Sequence, residues 1–211
     1  MKIRNIAPAE IEKESFAIIT RELGDRVLDP EKAPIIKRVI HTTADFEYVD
    51  NLYFSPNVVE IAKDAIRGGA TIVTDTQMAY SGISKKTAEK FGCKTVCFMS
   101  DPDVAAEAKE KGVTRARVSM DKASRLGENV IFAIGNAPTS LLRLRELIDE
   151  GYTPKLIIGV PVGFVNVIPS KERIIESNVP CIVARGRKGG SNVAACIVNA
   201  ILYAMDEKRG E

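Results

Sequence analysis

The sequence predicts a three-layer α/β fold, in which a mostly parallel, twisted sheet carries helices on both faces. Two observations predict it. Short runs rich in β-branched residues alternate along the chain with amphipathic segments typical of helices, and these runs are apolar throughout instead of alternating with polar residues. Strands that are apolar on both faces are typical of parallel sheets that helices cover on each side.

Five apolar runs predict the strands of this sheet. They span residues 70–75, 94–99, 129–135, 155–162 and 180–185. Each run is followed by a helical segment, which a chain needs in order to return and add the next parallel strand.

Proline at the start and glycine after the end mark several helices. Proline opens the segments 56–67 and 138–150, glycine follows each of them, and a further helix opens at Asp101-Pro102. Proline fits the first helical turn, where its missing N–H has no partner, and glycine readily ends a helix.

An N-terminal helical extension precedes the first core strand. It consists of helices at 8–23 and near 30–40, followed by an extended stretch at 46–54 that we expect to pair at the sheet edge. No internal repeat, low-complexity tract or Gly/Ser-rich linker divides the chain, so we expect one domain over residues 1–211.

The composition is that of an ordinary globular protein. Of the 211 residues, 45% are hydrophobic and 27% are charged, and the formal net charge of +2 gives no reason to expect nucleic-acid binding. The apolar stretches are too short or too interrupted to cross a membrane, and the N-terminus has no signal-peptide core. We therefore expect a cytoplasmic protein with neither nucleic acid nor membrane as partner.

The four cysteines carry no recognisable chemistry. Cys93, Cys97, Cys181 and Cys196 lie in apolar segments, form no CxxC pair and are distant in sequence from the single histidine. Zinc ligation needs a closer grouping of ligands, so we expect no metal site and reduced, buried thiols that pack as small apolar groups.

The unusual loops all follow predicted strands, at 75–82, 135–139, 159–164 and 186–191. In an open α/β sheet such loops share one edge, which is where these folds bind ligands. Their glycines and the helix N-termini beside them favour an anionic ligand. The loop at 186–191 lacks the GxxxxGK[ST] spacing and no GxGxxG follows the first strand, so nucleotide binding is only weakly indicated.

His41, the only histidine, is the first candidate for acid–base chemistry. It lies in the run 38–48, where apolar and polar residues are mixed. Imidazole is the one unperturbed side chain that exchanges a proton near neutral pH. The alternative is a core histidine whose nitrogens are satisfied by the backbone.

Four motifs, in order, resemble the precorrin-8X methylmutase family of cobalamin biosynthesis: IHTTADFEY, NAPTSL, GVPVGFV and GRKGGSNVAA. The resemblance spans nearly the whole chain. It implies an isomerase that moves a methyl group from C-11 to C-12 of precorrin-8X or cobalt-precorrin-8, giving hydrogenobyrinate or cobyrinate. It also implies a homodimer with active sites near the subunit interface, no external methyl donor, and no cofactor, since cobalt, if present, belongs to the substrate.

The family's catalytic histidine matches His41. A methyl shift within a conjugated macrocycle needs electron density withdrawn from the ring, which a proton or strong hydrogen bond to a ring nitrogen achieves. We expect His41 to act as that acid. Asp45 is a candidate to orient its imidazole.

The tetrapyrrole is a flat apolar ring with carboxylate arms, and its binding calls for cations around an apolar slot. Cationic candidates are Arg115, which matches the family's Thr-Arg position, Arg185, Arg187 and Lys188; polar candidates are Ser15 and Thr42. Backbone N–H donors are expected at Gly82, Asn136, Ala137, Gly189 and Gly190, and apolar walls at Met78, Tyr80, Val162 and Phe164, with Gly163 between the last two. Solvated surface charge is the alternative for the arginines, and core packing the alternative for Met78 and Phe164.

Two other functions fit the same loops. One is a corrinoid-binding carrier that holds the tetrapyrrole without transforming it, and the other is a nucleotide-dependent enzyme that uses the 186–191 loop. The sequence fits a substrate with cobalt and one without it.

Overall fold

Six strands form one sheet in the computed structural model, which describes residues 7–206. They are β1 (Leu52–Phe54), β2 (Thr71–Thr74), β3 (Lys94–Val96), β4 (Val130–Ile134), β5 (Leu156–Gly159) and β6 (Cys181–Ala184). Their order across the sheet is β1-β6-β5-β4-β2-β3, and every neighbouring pair is parallel except β1 and β6. The predicted α/β class with a mostly parallel sheet is confirmed. Residues 1–6 and 207–211, which the predicted single domain includes, lie outside the described residues.

Helices connect the strands. They are α1 (Pro8–Leu23), α2 (Ala33–Thr43), α3 (Tyr48–Asn51), α4 (Val58–Arg67), α5 (Gln77–Gly82), α6 (Lys85–Lys90), α7 (Pro102–Lys111), α8 (Arg115–Ser124), α9 (Pro138–Asp149), α10 (Val167–Ile175) and α11 (Ser191–Met205), with a 3₁₀ turn at Phe98–Ser100. Across residues 7–206, none of the helices combines the length and apolarity that a bilayer crossing requires.

The helices form a layer on each face of the sheet. In β4, Ile131 and Ala133 pack in a core shared with α1, α2, α4 and α11, whereas Val130, Phe132 and Ile134 pack in a second core with α8, α9 and α10. Successive side chains of a strand point to opposite faces, so a strand between two helical layers must be apolar at every position.

The predicted strands are present but shorter than expected, and two stretches differ. The run at 94–99 is a strand only to Val96, because a 3₁₀ turn begins at Phe98. The stretch at 46–54 was expected to be extended; instead Tyr48–Asn51 is helical, which buries the Tyr48 ring, and only Leu52–Phe54 is a strand. That strand does pair at the sheet edge, antiparallel to β6, as predicted.

The chain reverses its course across the sheet between β2 and β4. From β2 it first adds β3 on one side and later β4 on the other, after which β5 and β6 follow outward. In open α/β sheets this switch point opens a crevice at the carboxyl ends of the strands, where ligands bind.

Candidate active site

Four loops meet at one edge of the sheet, as predicted, because β2, β4, β5 and β6 run parallel and end on the same side. We call this edge, formed by the loops at 75–82, 135–139, 159–164 and 186–191 together with Arg185, the ligand edge. It carries most of the predicted binding residues: Met78, Tyr80, Gly82, Asn136, Ala137, Val162, Gly163, Phe164, Arg185, Arg187, Lys188, Gly189 and Gly190. Helix α8, which leads into β4, begins near this edge with Arg115.

Helix α2 ends at the ligand edge because it packs antiparallel against α11. Thr42, near the end of α2, donates a hydrogen bond to Cys196 early in α11 (3.1 Å). Arg38, one turn earlier in α2, lies over the ring of Tyr203 near the end of α11, 5.1 Å from its centre. Since α11 starts just after β6, the last turn of α2 and its His41 come to the same edge as the loops.

His41 is exposed and in the last turn of α2, not buried in the core. Its ring stacks on Phe16 of α1, with centroids 5.2 Å apart and planes 18° from parallel. It forms no hydrogen bond with any residue in the range 7–206, so both ring nitrogens can meet a ligand. The alternative of a core histidine satisfied by the backbone is therefore wrong.

Phe16 of α1 positions the imidazole by stacking against one face of its ring. The guanidinium of Arg38 lies 5.0 Å from the centre of the Phe16 ring and pairs with Glu12 of α1 at 2.6 Å. Arg38 and His41 are one turn apart on α2, so both rest on the same aromatic ring. Ser15, the neighbour of Phe16 in sequence, is half-buried in this part of α1.

Lys188 and Asp45 have different partners from those predicted. The Lys188 ammonium lies 2.5 Å from Asp45 and 2.9 Å from Glu47, and these hydrogen bonds raise its pKa. Asp45 also accepts the Glu47 N–H at 3.0 Å, and the Lys188 hydrogen bond lowers the Asp45 pKa. The expectation that Asp45 orients the imidazole of His41 is therefore wrong. The expectation that Lys188 binds a substrate carboxylate is also wrong, because its ammonium pairs with Asp45 and Glu47 of the protein itself.

Gly189 and Gly190 lie close to the end of β5. At Gly189, φ is +155° and a Cβ would stand 2.0 Å from the carbonyl oxygen of Val160. The Gly190 N–H donates to that same carbonyl at 2.9 Å. Gly189 is therefore needed for the close approach of the two backbones. The expectation that the Gly190 N–H donates to a ligand is wrong, because that N–H already donates to Val160.

Asp75 fills the crevice at the switch point. Its carboxylate follows β2, is fully buried, and accepts hydrogen bonds from Gly135 N–H (2.9 Å), Asn136 N–H (2.8 Å) and Ala137 N–H (2.6 Å) after β4. Burial raises the Asp75 pKa, and the three donors act against that shift. The prediction that the amides of Asn136 and Ala137 face a ligand is therefore wrong, because an internal carboxylate already takes them.

This arrangement disfavours the nucleotide-dependent alternative. In nucleotide-binding α/β folds, the amides before a helix at the switch point hold phosphate. Here the amides before α9 already donate to the Asp75 carboxyl group, so they are not available to a phosphate.

The three arginines differ in their partners. Arg187 is exposed, with its guanidinium 5.4 Å from the Phe164 ring centre. Arg185 lies 5.3 Å from the centre of the Tyr53 ring and 3.5 Å from Glu172. Arg115 is exposed at the start of α8, with one long contact of 3.5 Å to the carbonyl of Met99. Of the three, Arg187 is the best placed to receive a carboxylate.

Large apolar side chains are exposed along the ligand edge. The exposed fraction is 70% for Met78, 46% for Val162 and 83% for Phe164, so core packing is excluded for Met78 and Phe164. Val165 and Ile168, which were not predicted, extend this apolar surface with 79% and 42% exposed. Gly163 joins it to the neighbouring loop by donating to the carbonyl of Arg187 at 3.2 Å.

Tyr80 and Gly82 of α5 both contact neighbouring helices, Tyr80 through Lys85 of α6 and Gly82 through Ala195 of α11. The Lys85 ammonium lies 4.0 Å from the centre of the Tyr80 ring and donates to the Tyr80 carbonyl. Gly82 ends α5, where a Cβ would lie 2.9 Å from that of Ala195 in α11, so the close contact of the two helices requires glycine. As a helical residue it offers its N–H to the preceding turn, and the expected donation to a ligand is not supported.

A cavity of about 280 Å³ opens beside His41, between α2 and α11. Thr42 and Gly82 line it together with Arg38, Asn192 and Asn199. Ala195, Cys196 and Tyr203 complete the lining, so the walls combine one cation and several polar groups with apolar surface.

Two buried charged residues, Asp75 and Lys171, were missed. Asp75 directly follows the apolar run of β2. A carboxyl group in that position was the sequence signal for a buried side chain that binds backbone N–H groups. Lys171 occupies the buried stripe of α10 together with Val167, Ser170 and Ile174, and a lysine at a buried helical spacing is the corresponding signal.

The cysteines are free thiols. Cys93, Cys181 and Cys196 are buried as expected, whereas Cys97 is partly exposed. Burial raises the pKa of Cys181 to about 12, which keeps it a thiol. Among residues 7–206, no three His, Cys, Asp or Glu side chains are grouped closely enough to hold a metal ion.

Comparison with known proteins gives consistent matches over nearly the whole chain. A family model described as Precorrin-8X methylmutase matches residues 10–204. The cobalt-precorrin-8 methylmutase of Priestia megaterium is 46% identical over 202 residues, covering 95% of this chain and 90% of that protein. The enzyme of the same name from Salmonella typhimurium is 46% identical over 206 residues, covering 95% and 97%.

A solved structure agrees with these matches. The crystal structure of precorrin-8x methyl mutase from Thermus thermophilus superposes with a TM-score of 0.86 at 39% identity, covering 93% of this chain and 98% of that one.

Proposed function

The chain belongs to the precorrin-8X methylmutase family and is an isomerase of cobalamin biosynthesis, and from this premise we propose how its own residues carry out the reaction. The substrate is precorrin-8X or cobalt-precorrin-8, and the methyl group moves from C-11 to C-12 of the ring. One carbon–carbon bond breaks, another forms, and the composition of the molecule does not change.

His41 is the catalytic acid. The observation that carries this proposal is an exposed imidazole at the ligand edge that makes no hydrogen bond with the described residues. Donation from this imidazole to a ring nitrogen near the migrating methyl withdraws electron density from the conjugated system and stabilises the rearranging ring. His41 recovers the proton when the shift is complete, so no reagent is consumed.

The ligand edge offers both chemistries that the substrate needs. Met78, Val162 and Phe164 expose apolar surface for the ring face. Arg187 and Arg115 present guanidinium groups for carboxylate arms, with Arg185 as a weaker third because Glu172 lies beside it. Thr42 and Arg38 line the adjacent cavity, where each offers a polar group.

The remaining properties follow the family resemblance. We propose one domain over residues 1–211, a homodimer, a cytoplasmic location and no cofactor, with any cobalt carried by the substrate. The exposed Phe164 and Val165 support a second copy near the ligand edge, since neighbouring apolar side chains on a surface are typical of contact sites. Sedimentation of the purified protein tests the dimer.

Incubation of the purified protein with precorrin-8X or cobalt-precorrin-8 tests the function. Methyl migration alters the conjugated system, so the absorption spectrum should change progressively at catalytic protein concentration. A carrier without catalysis would give only a spectral shift proportional to the protein added, and that result would contradict the proposal.

A further inference from the structure

The fully buried lysine of α10 lies beneath the loop that bears Arg187 and Lys188. We propose that Lys171 is a positioning residue for the methylmutase reaction: it fixes the backbone of residues 186–188 and so places Arg187 at the ligand edge and Lys188 against the segment that follows His41. This inference rests on the proposed function, since it concerns the same site.

Lys171 engages two carbonyls of the loop at once. Its ammonium donates to the carbonyl of Gly186 at 2.9 Å and to that of Lys188 at 2.8 Å. The carbonyl between them, that of Arg187, accepts the Gly163 N–H at 3.2 Å. All three successive carbonyls are therefore held from within the protein, which sets the direction in which the Arg187 side chain leaves the loop.

The ammonium is costly to bury. Desolvation lowers the pKa of Lys171 to about 8. The neighbouring charges are Glu172 on the same helix, which pairs with Arg185 instead, and the side chain of Lys188, which points to Asp45. No carboxylate within residues 7–206 forms a salt bridge with Lys171. An apolar residue would pack at this buried position without that cost, so the lysine is explained by what it binds.

The effect of Lys171 extends to the catalytic helix. Once its backbone is fixed, Lys188 reaches Asp45 and Glu47, which lie just beyond the end of α2. Ala44, the residue that follows the end of that helix and lies three residues after His41, is in the left-handed conformation. A shift of the loop would thus move Arg187 directly and loosen the last turn of α2.

Two variants separate the hydrogen bonds from mere filling of space. Lys171→Met keeps an unbranched apolar chain but removes all three N–H donors, whereas Lys171→Gln retains two donors on a side chain of the same length as Met. Lys109→Met, at an exposed lysine of α7, is the matched control. Each variant is compared with wild type in steady-state turnover and in hydrogen–deuterium exchange of the peptide that contains residues 185–191.

We expect Lys171→Met to raise KM by about tenfold with a smaller change in kcat, as expected for the loss of hydrogen bonds from a charged donor. Exchange in the 185–191 peptide should become faster, Lys171→Gln should restore part of both effects, and Lys109→Met should match wild type. Unchanged KM and unchanged loop exchange in Lys171→Met would overturn the inference. If that variant does not fold, Lys171→Gln decides by the same two measurements, with smaller expected changes. Wild-type protein that turns over no substrate would contradict the proposed function. Hydrogen–deuterium exchange would still test whether Lys171 fixes the backbone of residues 186–188.

Discussion

The ammonium of Lys188 lies 2.5 Å from the carboxylate of Asp45, and this contact joins the glycine-rich loop after β6 to the end of the helix that carries His41. The two halves of the proposed site, the cationic loop and the catalytic imidazole, are thereby mechanically linked. Asp45 lies only four residues after His41, yet its carboxylate serves the loop and not the imidazole.

Replacement of Asp45 by Asn should weaken this link. We expect kcat/KM to fall by about threefold to tenfold, because the end of α2 is less well fixed while no group that touches substrate is removed. Lys188→Met should have a similar effect, and the double variant should be no worse than the more affected single variant. Strictly multiplicative losses in the double variant would contradict the link.

The same pair predicts a pH dependence of stability. The Asp45 pKa is lowered in the folded protein, so its contribution to stability is present above its unfolded value of about 3.9 and is lost as pH falls through the lower folded value. Urea unfolding of wild type and Asp45→Asn should therefore give curves that converge as pH falls below about 4. A difference between them that persists unchanged at pH 2 would contradict this assignment.

Asp75 should be a major contributor to folding stability. Asp75→Ala leaves the N–H groups of Gly135, Asn136 and Ala137 without their acceptor in a buried crevice, and we expect a loss of about 3–5 kcal/mol in the free energy of unfolding. Urea denaturation measures it. A loss below about 1 kcal/mol, within the range of an ordinary substitution, would show that water or a shift of α9 replaces the carboxylate.

Arg187 should affect binding more than turnover. Arg187→Ala is expected to raise KM by about tenfold with kcat changed less than about threefold, because a carboxylate contact far from the migrating methyl binds substrate and transition state alike. Arg173→Ala, at an exposed arginine of α10, is the control. Equal KM values for Arg187→Ala and wild type would remove Arg187 from the substrate site.

Lys171 gives a second, distinct pH effect. Its folded pKa of about 8 lies below its unfolded value of about 10.4, so between these pH values the unfolded chain binds more protons and rising pH favours the folded protein. From pH 8 to 10.5, wild type should gain on the order of 2 kcal/mol relative to Lys171→Met. Parallel stability curves for the two proteins over this range would mean that Lys171 has the same pKa in the folded and unfolded states, so that burial does not lower it.

The layers and the ligand edge were predictable from the sequence, because both depend on local patterns. Runs such as Val130–Ile134 are apolar at every position, and the unusual loops follow the strands in order. His41 stood out as the only histidine. The helix predicted near 30–40 stopped one residue before it, whereas α2 continues to Thr43 and includes it.

What the sequence did not reveal depends on contacts between distant segments. Whether the Asn136 amide faces solvent or an internal carboxylate depends on Asp75, which lies 61 residues away in sequence. The partners of Lys188 and Lys171 are likewise set by the packing of α2 and α10 around β6. The helical turn at Tyr48–Asn51 was missed because burial of the Tyr48 ring outweighs the β-propensity of the stretch.

Turnover by His41→Asn is the most direct test of the central claim. Asn cannot supply a proton, and the exposed His41 makes no hydrogen bond within residues 7–206, so folding stability should change by less than about 0.5 kcal/mol. We predict that kcat falls by at least about 100-fold, while substrate still binds with a Kd close to that of wild type. Near-normal kcat in a folded, substrate-saturated His41→Asn variant would contradict the account.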